Sequence, residues 1–260
     1  MAGEGAGMSI QIDMTGKTAL VTGAASGLGK ATALKLARTG ADLCLVDFNE
    51  QGLKETAALA QSEGAKVLCH RADLSNPDQC RAPVDAAVEH YGRLDALCNV
   101  AGIIVMAHAH EMAREDWDRI IAVNLTAPFL LAQAAIPHLL ESEGAIVNVA
   151  SSASYIGEAY AVGYCSSKFG LLGMTKALAM EYTHKPIRIN AVGPGGMATN
   201  IGANMAFPDD PDMGLLSRYM GLRGMVEVED VADMIALLAS PAGRGFHGAC
   251  INIDAGITAG

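Results

Sequence analysis

Thr18-Ala19-Leu20-Val21-Thr22-Gly23-Ala24-Ala25-Ser26-Gly27-Leu28-Gly29 decides how the rest of the chain is read. A short apolar run ends in three glycines spaced G-x-x-x-G-x-G, and an amphipathic pattern follows. Five residues are too few for a helix, so Thr18–Thr22 reads as a strand buried on both faces. Gly23 permits a tight turn, while Gly27 and Gly29 let the backbone approach a bound group and let the next helix pack on the strand. The start of that helix offers free N–H groups and a positive dipole end, a natural seat for phosphate.

Outward from this stretch the same alternation repeats. Strand-like runs are expected at Asp42–Val46, Lys66–His70, Ala96–Val100, Ala145–Val149, Ile187–Val192 and Ala249–Ile253, each bounded by turn residues. Helical patterns are expected over Gly27–Thr39, Glu50–Glu63, Pro77–Tyr91, Met112–Glu141, Glu158–Thr183, a polar stretch near 200–222, and Val228–Ala239. Strands alternating with helices imply βαβ crossovers. The expected architecture is a single α/β domain, a doubly wound parallel sheet of about seven strands with helices on both faces. Residues 1–14 read as a flexible lead-in, and 15–260 as the one domain, with no internal repeat.

The bulk composition agrees. Of 260 residues, 51% are hydrophobic and 18% charged, enough for a large core. A formal net charge of -10 disfavours nucleic acid and anionic membranes as partners. The start of the chain lacks the basic and apolar regions of a signal peptide, and no run of about 18 consecutive apolar residues is found. The six cysteines form no C-x-x-C pair and read as small buried residues of a reducing compartment, so the expected location is cytoplasmic.

The second strand ends near Asp47, 18 residues after Gly29, where a carboxylate would hold the ribose hydroxyls of an adenine dinucleotide. The same charge repels a 2′-phosphate. Ser26 stands before Gly27 and Phe48 follows Asp47, so no guanidinium is evident there. NAD is expected over NADP. Tyr164 and Lys168 lie four apart in a predicted helix, on one face. A free tyrosine titrates near 10, and a neighbouring ammonium lowers that value, making a usable acid–base residue. Thirteen residues earlier stands Ser151, whose hydroxyl would hold a substrate oxygen, with Ser152 as competitor. Asn124 would hold a water and extend a proton path toward Lys168.

With these residues in place, the chain from about Lys17 to Gly256 resembles the classical short-chain dehydrogenase/reductase family. Thr22, Gly23, Gly27 and Gly29 match its glycine motif, Asp73-Leu74 its adenine site, and Asn99-Val100-Ala101-Gly102 its N-N-A-G motif, with Val100 replacing the second Asn. Asn124, Ser151, Tyr164 and Lys168 match its catalytic set, and Pro194-Gly195-Gly196-Met197-Ala198-Thr199 its later Pro-Gly motif. The resemblance implies a Rossmann-type fold and NAD-dependent hydride transfer between a secondary alcohol and its ketone, without metal. Tyr164 would exchange the proton, Lys168 would tune it and bind the nicotinamide ribose, and Ser151 would orient the substrate. Ser26, Leu28, Phe48, Asp73, Leu74, Asn99, Ala101, Gly102, Pro194, Gly195, Met197 and Thr199 would join the cofactor site. It also implies a homotetramer.

Within this class, 3-oxoacyl thioester reductases and hydroxysteroid or sugar dehydrogenases are the alternatives. A non-catalytic NAD-binding regulator, or an isomerase or dehydratase, is more distant. His108 and His110 lack a third ligand and read as rim residues. Tyr155 and Tyr160 would shape the pocket, and Trp117 would pack a helix. Met205, Met213, Met220 and Met225 suggest an apolar lid that favours a hydrophobic substrate over a free sugar.

Overall fold

The computed structural model describes residues 11–198, 207–219, 221 and 223–259. Seven parallel strands form one sheet in the order β3-β2-β1-β4-β5-β6-β7. They are β1 Thr18–Thr22, β2 Asp42–Asp47, β3 Val67–Arg71, β4 Ala96–Asn99, β5 Ala145–Val149, β6 Arg188–Pro194 and β7 Cys250–Ile253. The expected boundaries hold to within two residues. The expectation that every strand is buried on both faces fails at β3 and β7. These are the sheet edges, and their side chains are half-buried or exposed.

Alternation along each strand sends residues to two cores. Val21, Leu43, Leu45 and Val147 face one layer, built from α1 (Gly27–Arg38), α2 (Glu50–Ser62) and α7 (Val228–Ala239). Leu20, Cys44, Val46 and Ile146 face the other, against α3 (Ala82–Tyr91), α5 (Ala127–Glu141) and the end of α6 (Val162–Glu181). The order of strands reverses between β1 and β4, and a doubly wound sheet opens its crevice beyond the carboxyl ends there.

Among the helices, the one expected over Pro77–Tyr91 is a 3-10 turn, Pro77–Gln79, followed by α3, and the stretch expected near 200–222 shows only short turns at Met213–Leu216 and Ser217–Tyr219 among the described residues. Other boundaries change as well. Met14 is fully buried and its N–H donates to the Thr39 carbonyl, so packed chain begins inside the stretch read as a lead-in. The helix expected from Glu158 starts at Val162, because Tyr160 has a φ of 66° that no right-handed helix accommodates. The stretch Met112–Glu141 is α4 (Arg114–Ile121), a π-helical turn Ala122–Thr126 and α5. Pro128 has no N–H to give the Asn124 carbonyl four residues back, and the Ala127 N–H reaches to Ala122 instead. Arg114–Glu141 is long and apolar enough by composition to cross a membrane, with a mean hydropathy of 1.7, yet 56% of that window is buried in the fold.

Candidate active site

A cleft of about 540 Å³ opens at the strand-order reversal. At one end lies the glycine loop. A side chain at Gly29 would stand 2.0 Å from the Gly23 carbonyl oxygen, and one at Gly23 would stand 2.9 Å from the Ala101 backbone. Gly23 and Gly27 have φ of 67° and 51°, a region glycine enters without strain. The loop is therefore wedged between α1 and the end of β4, and the Ala24 and Ala25 N–H groups tie it to the end of β2 through the Val46 carbonyl and the Asp47 carboxylate. The Ser26 side chain caps nothing and lines the cleft beside Gly27, Leu28 and Gly29.

Asp47 ends β2 at the rim. Its carboxylate accepts from the Ala25 N–H at 3.1 Å and the Asn49 N–H at 2.9 Å, which ties it to the glycine loop. Phe48 lies beside it, 68% exposed. Asp73 and Leu74 close the adjoining wall, and the Asp73 carboxyl is held below its usual range by the Ser75 side-chain and backbone bonds. Ala101, Gly102, Pro194, Gly195 and Met197 also line the cleft.

Asn99 does not. Its side-chain NH2 donates to Asn148 Oδ1 at 2.9 Å inside the sheet, Asn148 donates to Thr175, and the Asn99 Oδ1 has no partner. It is a strut between strands, and with Val100 beside it one hydrogen bond goes unmade. Thr199 lies outside the described residues.

At the other end stand Ser151, Tyr164 and Lys168. Ser151 follows β5, its hydroxyl accepts from the Ala153 N–H, and it lines the same cleft as Tyr164. Ser152 turns toward Glu158 Oε1, 3.4 Å distant, and does not line the cleft, whereas Ser151 does. Lys168 is 3% exposed, donates to the Val149 carbonyl at 2.7 Å, and stands 5.6 Å from the Tyr164 ring centre.

The electrostatics of this pair differ from expectation. Burial pushes the Tyr164 phenol up to about 12, opposed by the Ser151 hydrogen bond and reinforced by Glu158 and Cys165. Burial also pulls the Lys168 ammonium down to about 8. The lysine is itself desolvated, so the protein alone leaves the phenol protonated at neutral pH.

Asn124 is fully buried within the π turn. Its Oδ1 accepts from the Ile103 N–H, and its NH2 donates to the Ile103 carbonyl and Ser167 Oγ. Both donors are committed, so its side chain fixes the backbone after β4 and holds α6 rather than reaching a water. Gly102 passes next to it: a Cβ there would lie 3.5 Å from both Asn124 Oδ1 and Lys168 Nζ.

The Met-rich segment is not the apolar lining expected of it. Met213 and Met225 are 66% and 60% exposed, and Met205 and Met220 lie outside the described residues. Its described part, residues 207–219, is fastened by polar bonds instead. The Asp212 N–H donates to the Tyr160 hydroxyl, and His108 Nε2 lies 3.0 Å from the Asp209 carbonyl. Sequence reading missed Asn49, Ile103, Ile104 and Arg119, which line the cleft.

The comparisons agree with this geometry. A family model described as enoyl-(acyl carrier protein) reductase matches residues 23–258. D-threitol dehydrogenase of Mycolicibacterium smegmatis is 37% identical, over 96% of this chain and 97% of that one. A 3-oxoacyl-[acyl-carrier-protein] reductase of Thermotoga maritima is also 37% identical, over 94% and 98%. The crystal structure of a short-chain dehydrogenase from Mycobacterium paratuberculosis bound to NAD superposes with a TM-score of 0.87 at 27% identity, over 95% and 100%. By motif order, sheet topology and these relatives, the chain belongs to the short-chain dehydrogenase/reductase family.

Proposed function

We propose that the protein is an NAD(H)-dependent oxidoreductase that interconverts a secondary alcohol and its ketone. One observation carries the reading: a single cleft joins a wedged glycine loop and Asp47 to Ser151, Tyr164 and Lys168. The residues fit the cofactor. Gly23, Gly27 and Gly29 keep the loop free of side chains where a pyrophosphate would lie, and Asp47 retains free lone pairs for ribose hydroxyls and repels a 2′-phosphate. NAD in the structure of the M. paratuberculosis relative supports the same choice.

The bound cofactor supplies or takes the hydride. Tyr164 gives its proton to the carbonyl oxygen in reduction and removes it from the hydroxyl in oxidation. With its phenol held up to about 12, the neutral acid is the resting form and oxidation is the direction that needs help. That help is a positive charge nearby: Lys168, pinned to Val149, and the oxidised ring when present. Ser151 holds the substrate oxygen against the Tyr164 hydroxyl. Asn124 is a positioning residue.

The named activities of the relatives are alcohol dehydrogenation and 3-oxoacyl reduction. Asp47 favours the first, since it selects NAD. Unpaired cysteines support a reducing, cytoplasmic setting, and an exposed apolar stripe on α6 supports a homotetramer. Absorbance at 340 nm with NAD or NADP against secondary alcohols, hydroxyacyl thioesters, steroids and sugars tests the reading. NAD-linked turnover lost in Tyr164→Phe is expected. Turnover that survives in that variant breaks the mechanism, and a strict need for NADP breaks the Asp47 argument.

A further inference from the structure

The chain that leaves β4 walls the cleft with two isoleucines that the reaction above does not use. Ile103 and Ile104 line the same cleft as Ser151 and Tyr164. Ile104 and Tyr164 also pack against one buried cluster, Ala153, Ala161 and Cys165. Both side chains are half-buried, so each keeps a face toward the open space. The proton-transfer residue and Ile104 are therefore neighbours on one wall.

The backbone of that wall is already engaged. The Ile103 N–H donates to Asn124 Oδ1 at 2.9 Å, and the Ile103 carbonyl accepts from the Asn124 NH2 at 2.9 Å. Asn124 thus consumes the polar groups of the loop and leaves its hydrocarbon to face the cleft. Other polar lining residues stand at the glycine-loop end. Asp47 is tied to Ala25 and to the Asn49 N–H, and Arg119 lies close enough to Asp73 to favour its charged form. At the reacting end, Lys168 is tied to the Val149 carbonyl. Among the described residues, that leaves the Ser151 and Tyr164 hydroxyls, and both serve the one oxygen that reacts.

We infer that Ile104 is a specificity residue that packs against the carbons beside the reacting one, so that the enzyme selects mono-alcohols with bare hydrocarbon there, such as alicyclic alcohols, over polyols and sugars. This rests on the alcohol–ketone reading above, and the loop after β4 carries it rather than the methionines. A second hydroxyl on a neighbouring carbon would leave water and meet isoleucine, with no donor or acceptor to replace what it lost. A hydrocarbon-lined pocket rejects an added hydroxyl by about a hundredfold at most. One hydrogen bond left unmade sets the lower end near tenfold.

The test compares cyclohexanol with cyclohexane-1,2-diol, NAD-linked, in the native enzyme, Ile104→Val and Ile104→Thr. Valine and threonine share a shape and differ by the hydroxyl, so the pair separates lost volume from added polarity. The ratio of kcat/KM, mono-alcohol over diol, is expected to be about tenfold or more in the native enzyme, to hold in Ile104→Val, and to fall at least about fivefold in Ile104→Thr. A native ratio of one or below, or equal ratios in the two variants, overturns the inference. Should the threonine variant fail to fold, or neither alcohol turn over, binding of the ketones decides. The second case also sinks the alcohol-oxidising reading for this class. Melts of Tyr164→Phe with NADH, in which no ketone is consumed, then compare cyclohexanone with 2-hydroxycyclohexanone. Protection by cyclohexanone at about tenfold lower concentration sustains the assignment. Equal, reversed or absent protection refutes it.

Discussion

Replacing Gly29 by alanine puts a methyl group 2.0 Å from the Gly23 carbonyl oxygen and 2.5 Å from its carbon. Both are backbone atoms, so no rotamer change relieves the overlap. Gly23 has little room to retreat, since a Cβ built on it would already stand 2.9 Å from the Ala101 backbone. Helix α1 must therefore move outward by about 1 Å to regain an ordinary contact distance. It moves against packed neighbours, because Ala33, Leu36 and Ala37 are buried and α1 packs on α7. Overpacking of this kind costs about 1–3 kcal/mol, and a backbone clash sits at the upper end. For a chain of this size each kcal/mol lowers Tm by roughly 2–4 °C, so a fall of about 6–12 °C is expected. The shift also displaces the loop backbone where a cofactor phosphate would lie. Losing two hydrogen bonds of about 1 kcal/mol each weakens NADH binding by roughly 10–100-fold. Thermal melts and a fluorescence titration with NADH read both effects. Gly245→Ala is the control: nothing lies within 4 Å of its added Cβ, and Tm should hold or rise slightly. Should Gly29→Ala melt within about 2 °C of the native protein and bind NADH normally, less than 1 kcal/mol would be at stake, and the close approach of α1 to the loop would be wrong.

Two further outcomes follow from buried charges. Asp95, 2% exposed, accepts from the Thr18 N–H and twice from Arg93, so Asp95→Ala strands a buried N–H and should lower Tm by roughly 5–10 °C; an unchanged melt would show the pair to be incidental. Lys168 is held down to about 8, so between that pH and the ordinary lysine value near 10.5 the folded protein binds fewer protons than the unfolded chain. The cost of burying the ammonium is full below about pH 8 and is relieved as pH rises through that window. Lys168→Met, melted without added cofactor, should gain most over the native protein near pH 7 and least near pH 10, and a gain independent of pH would contradict the assignment.

Much of this molecule is legible in the chain because its signals are local. Each strand is a short apolar run between turn residues, and the glycine spacing states where the first crossover begins. What the chain conceals depends on pairing. Arg71 stands opposite Asp47 in the β2–β3 register, with its Nε donating to the Phe48 carbonyl, so a guanidinium does lie at the rim that looked bare in sequence. Asn99 matches a motif position, yet its partner Asn148 is 49 residues away and only the β4–β5 register brings them together. Glu158 reads as a helix start until Tyr160 breaks the helix and Cys165 ties the loop back. One missed signal was present: Pro128, four residues after Asn124, marks the carbonyl that cannot be paired in an α-helix and so the π turn that carries the asparagine.

The outer face of α6 raises the question of what covers it. Val162, Phe169 and Met180 are 40%, 47% and 76% exposed. At about 100° per residue, Phe169 lies roughly 20° from Val162 around the helix, Met180 falls back in line with it, and Gly173 lies within the same stripe. Three large apolar side chains on one line of a solvent-facing helix, with a glycine between them that lets another backbone come close, are poorly explained by folding of one chain, which already buries the opposite face against β6. A symmetric contact between copies would cover such a stripe, since a twofold axis sets it against itself. Phe169→Asp places two like charges together in that contact while leaving the sheet-facing side of α6 untouched. Light scattering on the native protein should then give the mass of four copies of the 26.9 kDa chain, and on the variant that of two or one. A native protein that runs as a monomer, or a variant of unchanged mass, would mean that the stripe is not an assembly surface.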